Sequence, residues 1–150
     1  METAVKEANE GLEKGEGGPF GAVIYCNGKI IARAHNMVLQ TNDPTAHAEM
    51  VCIRKACAKL GSFDLSDCVI YSTCEPCPMC LSAIYWSHVD NIYYANTRMD
   101  AKDIDFDDSF IYSEVRKEID ERKVKMIQIN REEALEAFKI WQTKEDKIKY

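Results

Sequence analysis

Pro76 and Pro78 bracket Cys77 in the run Thr73-Cys74-Glu75-Pro76-Cys77-Pro78-Met79-Cys80, directly after the apolar stretch Cys68-Val69-Ile70-Tyr71-Ser72. Proline has no backbone N–H and a preset φ, so a helix tolerates it in its first turn and hardly anywhere else. The run therefore predicts a buried strand followed by a helix that starts at Pro76. Cys77 and Cys80, three apart, then share one face of the first turn. A helix N-terminus favours the thiolate that metals bind. Cys-x-x-Cys by itself fits a redox pair as well as zinc. Upstream, Thr45-Ala46-His47-Ala48-Glu49 shifts the balance. One imidazole and two thiolates, from His47, Cys77 and Cys80, leave a tetrahedral zinc ion with an open fourth position, the layout of a catalytic site. Glu49, two residues from the histidine, supplies the acid–base group that a water in that position needs.

The rest of the chain arranges itself around this stretch. Val5, Ala8 and Leu12 recur at helical spacing from Met1 to Lys14, and the glycines at 15, 17 and 18 with Pro19 stop the helix. Two strand-like runs, Gly21 to Cys26 and Lys29 to His35, flank Asn27-Gly28, a tight-hairpin signal. Asn36 follows the second strand, where a side chain can look into a cleft, although a turn residue is the plainer reading. Asp43-Pro44 predicts an N-cap and the first residue of a helix ending at Gly61. Inside such a helix His47 and Glu49 would point about 200° apart, so they converge only at a helix end. Strand, helix and strand from Asp67 to Ala95 predict parallel pairing. Val124 to Ile129 reads as a fifth strand, and Asn130 with Glu133 as a capping box for a last helix bearing Leu135, Phe138 and Trp141. The expected architecture is one α/β domain over residues 1–150, a three-layer α/β/α sandwich around a mixed sheet of about five strands.

Several features carry bland readings as well. Cys74, with Cys77, Cys80 and His47, would make a closed structural Cys3His site. Against it, Cys74 precedes Pro76 at the end of the strand, and Glu49 would have no task. Acids at Asp103, Asp105 and Asp107 with Glu114 imitate calcium-loop spacing, but Asp108 stands where that loop requires glycine, and no helix is evident in front of it. Trp86 is a helix-end residue covering the core or a stacking surface for a flat base. His35 and His88 have no motif partner. A net charge of −6 disfavours a broad phosphate-binding surface. There is no secretory leader pattern and no long apolar run, so a cytoplasmic protein with seven reduced cysteines is expected.

His-x-Glu followed by Pro-Cys-x-x-Cys is the signature of zinc nucleobase deaminases. The chain resembles one branch of them, the small bacterial-type guanine deaminases of the cytidine deaminase fold. The likeness is carried by Gly17-Gly18-Pro19-Phe20-Gly21-Ala22, Asn42 to Glu49, Cys74 to Leu81, and Ala83-Ile84-Tyr85-Trp86. Its most diagnostic piece is Phe106-Asp107-Asp108-Ser109-Phe110-Ile111-Tyr112, and it thins from Glu118 to Lys149 before returning at Tyr150. The resemblance implies zinc held by His47, Cys77 and Cys80, proton transfer by Glu49, and a free purine base as substrate. It further implies base contacts from Asn36 and, more weakly, from Trp86 and Tyr150, and a role in recognition and catalysis for Asp108, which with the C-terminal tail would contribute to a partner subunit's site. A homodimer that swaps its C-terminal segment, with neither nucleic acid nor membrane as partner, is the implied assembly. tRNA adenosine deamination and cytosine deamination are the rival activities, and a zinc-stabilised interaction domain is the rival without catalysis.

Overall fold

The structure, a computed structural model, describes residues 1–149 and falls into two compact units, Met1–Asp108 and the segment from Ser109 onward. In the first unit the elements run α1 (Glu2–Lys14), β1 (Gly21–Cys26), β2 (Lys29–His35), α2 (Val38–Thr41), α3 (Ala48–Leu60), β3 (Cys68–Cys74), α4 (Pro78–Trp86), β4 (Asn91–Asn96) and α5 (Arg98–Lys102). The four strands form one mixed sheet in the order β2-β1-β3-β4. β1 pairs antiparallel with both β2 and β3, and β3 pairs parallel with β4.

Local sequence explains most of these joints. Asn27 and Gly28 both take positive φ, 49° and 80°, the twist a two-residue hairpin needs between right-twisted strands. α1 and α3 both end where glycine enters the left-handed region, at Gly15 and Gly61. Between β3 and β4 the chain must cross over to pair parallel, and α4 is that crossover.

Alternation then sorts the sheet into two faces. Ala22 and Ile24 of β1, Ala32 and Ala34 of β2, and Ile70 of β3 share a buried cluster with Ala48, Cys52 and Ala56 of α3 and Ile84 of α4. α1 covers the other face. Its backbone lies so close to β1 that a Cβ on Gly21 would stand 2.0 Å from the Ala4 carbonyl oxygen. The first unit is thus an α/β/α sandwich. Lys55 and Lys59 of α3 donate to the Arg33 and Ile31 carbonyls of the outer strand β2, which occupies acceptors that a free edge would offer to another chain.

Five expectations from sequence need correction. The helix expected from Asp43-Pro44 begins only at Ala48. The Asp43 carboxylate accepts from the Thr45 backbone N–H and hydroxyl, at 2.8 and 2.7 Å, and so closes a local turn instead of capping a helix. The helix expected from Pro76 begins at Pro78, with Cys77 as its N-cap. A short helix, α5, does precede Asp103, capped by reciprocal Thr97 and Asp100 contacts.

The second unit supplies the fourth and fifth. It contains α6 (Ser109–Arg116), a single 3-10 turn (Ile119–Glu121) and α7 (Arg131–Thr143). Val124 to Ile129 is not a strand here; Val124, Ile127 and Ile129 are 76%, 81% and 75% exposed. Asn130 precedes α7 in the left-handed conformation and makes no side-chain cap. None of the described residues of this unit is buried. Among the described residues no helix is long and apolar enough to cross a membrane.

Candidate active site

α3 and α4 bring their N-termini to one place. His47 and Cys77 are the N-caps of these helices, both in extended backbone conformation (ψ 155° and 167°), and Cys80 lies a turn inside α4, fully buried. The N-cap geometry resolves the sequence-level conflict between His47 and Glu49. Only Glu49 is in the helix, so the two side chains are not bound to its 100° step per residue.

The His47 Nδ1 lies 3.5 Å from the Cys77 Sγ and 3.6 Å from the Cys80 Sγ, and the three donor atoms fall within 4.8 Å of one another. Zinc bonds of ~2.0–2.1 Å to nitrogen and ~2.3 Å to sulfur, at a tetrahedral angle, separate N from S by about 3.5–3.6 Å. One imidazole and two thiols at that spacing fit zinc in both donor type and geometry. Cys74 takes no part. Its thiol donates to the Thr97 carbonyl at 3.5 Å, and burial pushes it up to about 11. The closed Cys3His alternative is not formed.

The donors already share charge. The Cys80 thiol hydrogen-bonds to the Cys77 sulfur, which holds Cys77 down at about 4, with His47 adding to the effect. The same bond, then burial and the Glu49 carboxylate, raises Cys80. His47 is raised chiefly by its contact with Cys77. Glu49 is 5% exposed and accepts from the Ser72 hydroxyl at 2.9 Å. Burial pushes its carboxyl up, against the hydrogen bonds that it accepts. A carboxylate that water does not stabilise holds a proton more readily. Ser72 had no role in the sequence reading, yet its signal was present: a hydroxyl at a core-facing position of β3, in step with Ile70.

The remaining candidates are not equally close. Asn36 is 4% exposed, donates its backbone N–H to the Phe20 carbonyl at 2.9 Å, and accepts from the Val38 N–H through Oδ1 at 3.1 Å. With Oδ1 committed, its amide N–H groups are what it can offer a ligand. The Asp108 carboxyl is raised by partial burial first and by the charge of Cys77 second, with Arg98 opposing. It stands within electrostatic reach of its own chain's thiolates. Trp86 is 66% exposed at the far end of α4, about 13 Å along the axis from Cys77. Tyr150 lies outside the described residues.

Against known proteins, residues 1–96 match the model of the cytidine and deoxycytidylate deaminase zinc-binding region. The chain is 49% identical to the guanine deaminase of Bacillus subtilis over 150 residues, all of this chain and 96% of that one. The solved structure of a Bacillus subtilis guanine deaminase superposes on 99% of this chain and 95% of its own with a TM-score of 0.95. A tRNA-specific adenosine deaminase of Aquifex aeolicus is 43% identical over 95 residues, 63% of this chain and 62% of its own. A variant protein solved in complex with 8-azaguanine is 31% identical over 70% of this chain and 61% of its own, with a TM-score of 0.67. The chain belongs to the zinc-binding cytidine and deoxycytidylate deaminase family, in the branch that includes the Bacillus subtilis protein.

Proposed function

We propose that this protein hydrolyses free guanine to xanthine and ammonia, with zinc held by His47, Cys77 and Cys80. One observation carries the choice of base. Likeness to a guanine deaminase runs the whole length of the chain, whereas likeness to a tRNA adenosine deaminase covers 63% of it. The net charge of −6 also disfavours an anticodon-binding rim.

The reaction forms a C2–O bond to water and breaks the C2–N bond of the exocyclic amine. Bound zinc supplies the Lewis acidity that brings water to a pKa of ~7 and makes it a nucleophile at neutral pH. Glu49 does the proton work. Its carboxylate takes a proton from the attacking water, delivers it to a ring nitrogen, and passes a second to the departing amine. The Ser72 hydroxyl, donating to Oε1, fixes which oxygen is left free for this. Burial suits the shuttle, because the raised carboxyl keeps the proton between the two transfers.

Recognition falls to Asn36 and Asp108. The purine edge bearing N1–H and the amine presents donors, which a carboxylate accepts and which adenine lacks at N1. The Asn36 amide N–H groups suit the acceptor atoms of the ring. Trp86, exposed and remote along α4, is assigned to a base in a partner subunit, as is Tyr150. This accords with a homodimer that exchanges the segment after Asp108. In support, that segment has no buried residue among those described, and β4, at the sheet edge, exposes half of Tyr93 and Tyr94. A cytoplasmic setting accords with the free state of all seven cysteines.

The test is ultraviolet assay of the zinc-loaded protein on guanine, adenine, cytosine and an adenosine-bearing anticodon stem-loop. Guanine turnover should exceed the others by at least ~100-fold in kcat/KM, the discrimination expected when a wrong base leaves buried polar groups unpaired. Faster deamination of cytosine or of the stem-loop replaces the substrate assignment.

A further inference from the structure

We infer that Glu16 and His35 are positioning residues for the guanine site, acting as a clasp that aims the Asn36 amide. The inference rests on Asn36 binding the base.

Two chain segments run side by side here, and they touch at successive positions. Glu16 and Gly17 belong to the turn after α1; His35 and Asn36 are the end of β2 and its exit. The His35 Nε2 pairs with the Glu16 carboxylate. One residue further along, Gly17 packs against Asn36 so tightly that a Cβ there would lie 2.2 Å from the Asn36 Oδ1 and 2.4 Å from its carbonyl oxygen. The His35–Glu16 hydrogen bond therefore closes the same seam whose next contact fixes the orientation of the asparagine side chain.

Glu16 also holds the chain on the far side of Asn36. Its carbonyl accepts from the Leu39 and Gln40 backbone N–H groups, both at 3.1 Å, and its Oε1 accepts from the Gln40 amide at 2.7 Å. Asn36 thus sits between two anchors, His35 before it and α2 after it, that meet on one carboxylate. Met37, inside the same span, donates to the Ala46 carbonyl at 2.9 Å, and Ala46 is the residue before His47. A shift of the clasp is transmitted to the strip of backbone that carries the base ligand.

The clasp is built into the interior. The side chains of His35 and Glu16 are 10% and 17% exposed, and Glu7, 9% exposed, lies 3.6 Å from the other imidazole nitrogen. That Nδ1 has no hydrogen-bond partner among the described residues. α1 comes close enough over the ring that a Cβ on Gly11 would be 2.7 Å from it. A buried imidazole between two carboxylates costs desolvation and is a poor way to gain stability alone. Holding a geometry is a task that such a pair does better than an apolar contact, because its reach and direction are set.

Steady-state kinetics of a double-mutant cycle separate this role from a purely structural one. Glu16→Ala should raise KM for guanine on the order of tenfold, the loss of about one aimed hydrogen bond, with kcat changed less than KM and zinc content unchanged. Glu16→Gln and His35→Gln, which keep a hydrogen-bonding pair across the seam, should recover most of the wild-type KM and serve where the alanine variant folds poorly. In an Asn36→Ala background, Glu16→Gln and Glu16→Ala should change KM no further, because residues that act through a shared partner are not additive. Fully additive effects on KM, or a fall in kcat alone, overturn the clasp. If Asn36→Ala by itself leaves KM unchanged, the base-binding role of Asn36 fails first, and the single variant shows it.

Discussion

At the scale of single residues the site works by sharing charge among groups that are partly or fully buried. Cys77 is thiolate-prone because Cys80 and His47 both bond to it, and Cys80 gives up that advantage in exchange. A dication spreads its charge over all three donors and ends the competition. Glu49 lies beside the donors, raised chiefly by burial and tied to Ser72, and its carboxylate in turn raises Cys80. Its substitution tests the assignment of proton transfer. Glu49→Gln is nearly isosteric and keeps an acceptor for the Ser72 hydroxyl, so zinc stoichiometry and fold should survive. Turnover should fall by ~10²–10⁴-fold, the usual contribution of a positioned acid–base group. Metal analysis and guanine kinetics on one preparation check both. A variant with normal zinc and a tenth or more of wild-type activity removes Glu49 from the proton path.

Among the elements, the site depends on where two helices refuse to start. Had α3 begun at Pro44, His47 would be locked into the helical spiral and turned away from Glu49. The Asp43 turn prevents this by consuming Thr45, and His47 becomes an N-cap. Those two bonds from Thr45, side chain first, hold the Asp43 carboxyl below its ordinary 3.8. A carboxyl lowered in the folded state stabilises the fold above the unfolded value and loses that contribution as pH falls through the folded one. Asp43→Ala should therefore lower Tm and weaken zinc retention at neutral pH, whereas Asp43→Asn, which still accepts from Thr45, should do so less. Thermal melts with a chelator present throughout should show the gap between wild type and Asp43→Ala closing below about pH 3.8. A gap of constant size in acid means that the carboxylate charge contributes nothing to the turn.

On the scale of the molecule, the two units are unequal. Residues 1–108 have a sheet with helices on both faces and a continuous core. The described residues after Asp108 have two helices, Phe138, Ile140 and the 124–129 run largely exposed, and nothing buried. A segment of that size without a core gains too little from apolar burial to order itself independently. Exchange between two copies would cover it. Sedimentation velocity at micromolar concentration should then show a species of twice 17.1 kDa, and mixing a Tyr150→Ala chain with a Glu49→Gln chain should restore part of the activity if each site draws on both copies. A 17.1 kDa species across that range, or no recovery on mixing, defeats the exchange.

What the sequence determined by itself was chemistry and punctuation. His47, Glu49, Cys77 and Cys80 were legible because zinc chemistry restricts residue type, and the prolines and glycines because backbone sterics do. The hairpin at Asn27-Gly28 and the ends of α1 and α3 followed from the same local rules. What only the tertiary structure decided were competitions between equally local signals. Asp43 was a sound helix cap on paper and became a turn, its carboxylate taken by the Thr45 N–H and hydroxyl. Val124 to Ile129 had the composition of a strand but found no sheet edge among the described residues of its own unit, and strand propensity needs a partner. Ser72 and His35 found their partners in Glu49 and Glu16, 23 and 19 residues away along the chain. Contacts at that separation depend on how the elements pack, and no local pattern encodes them.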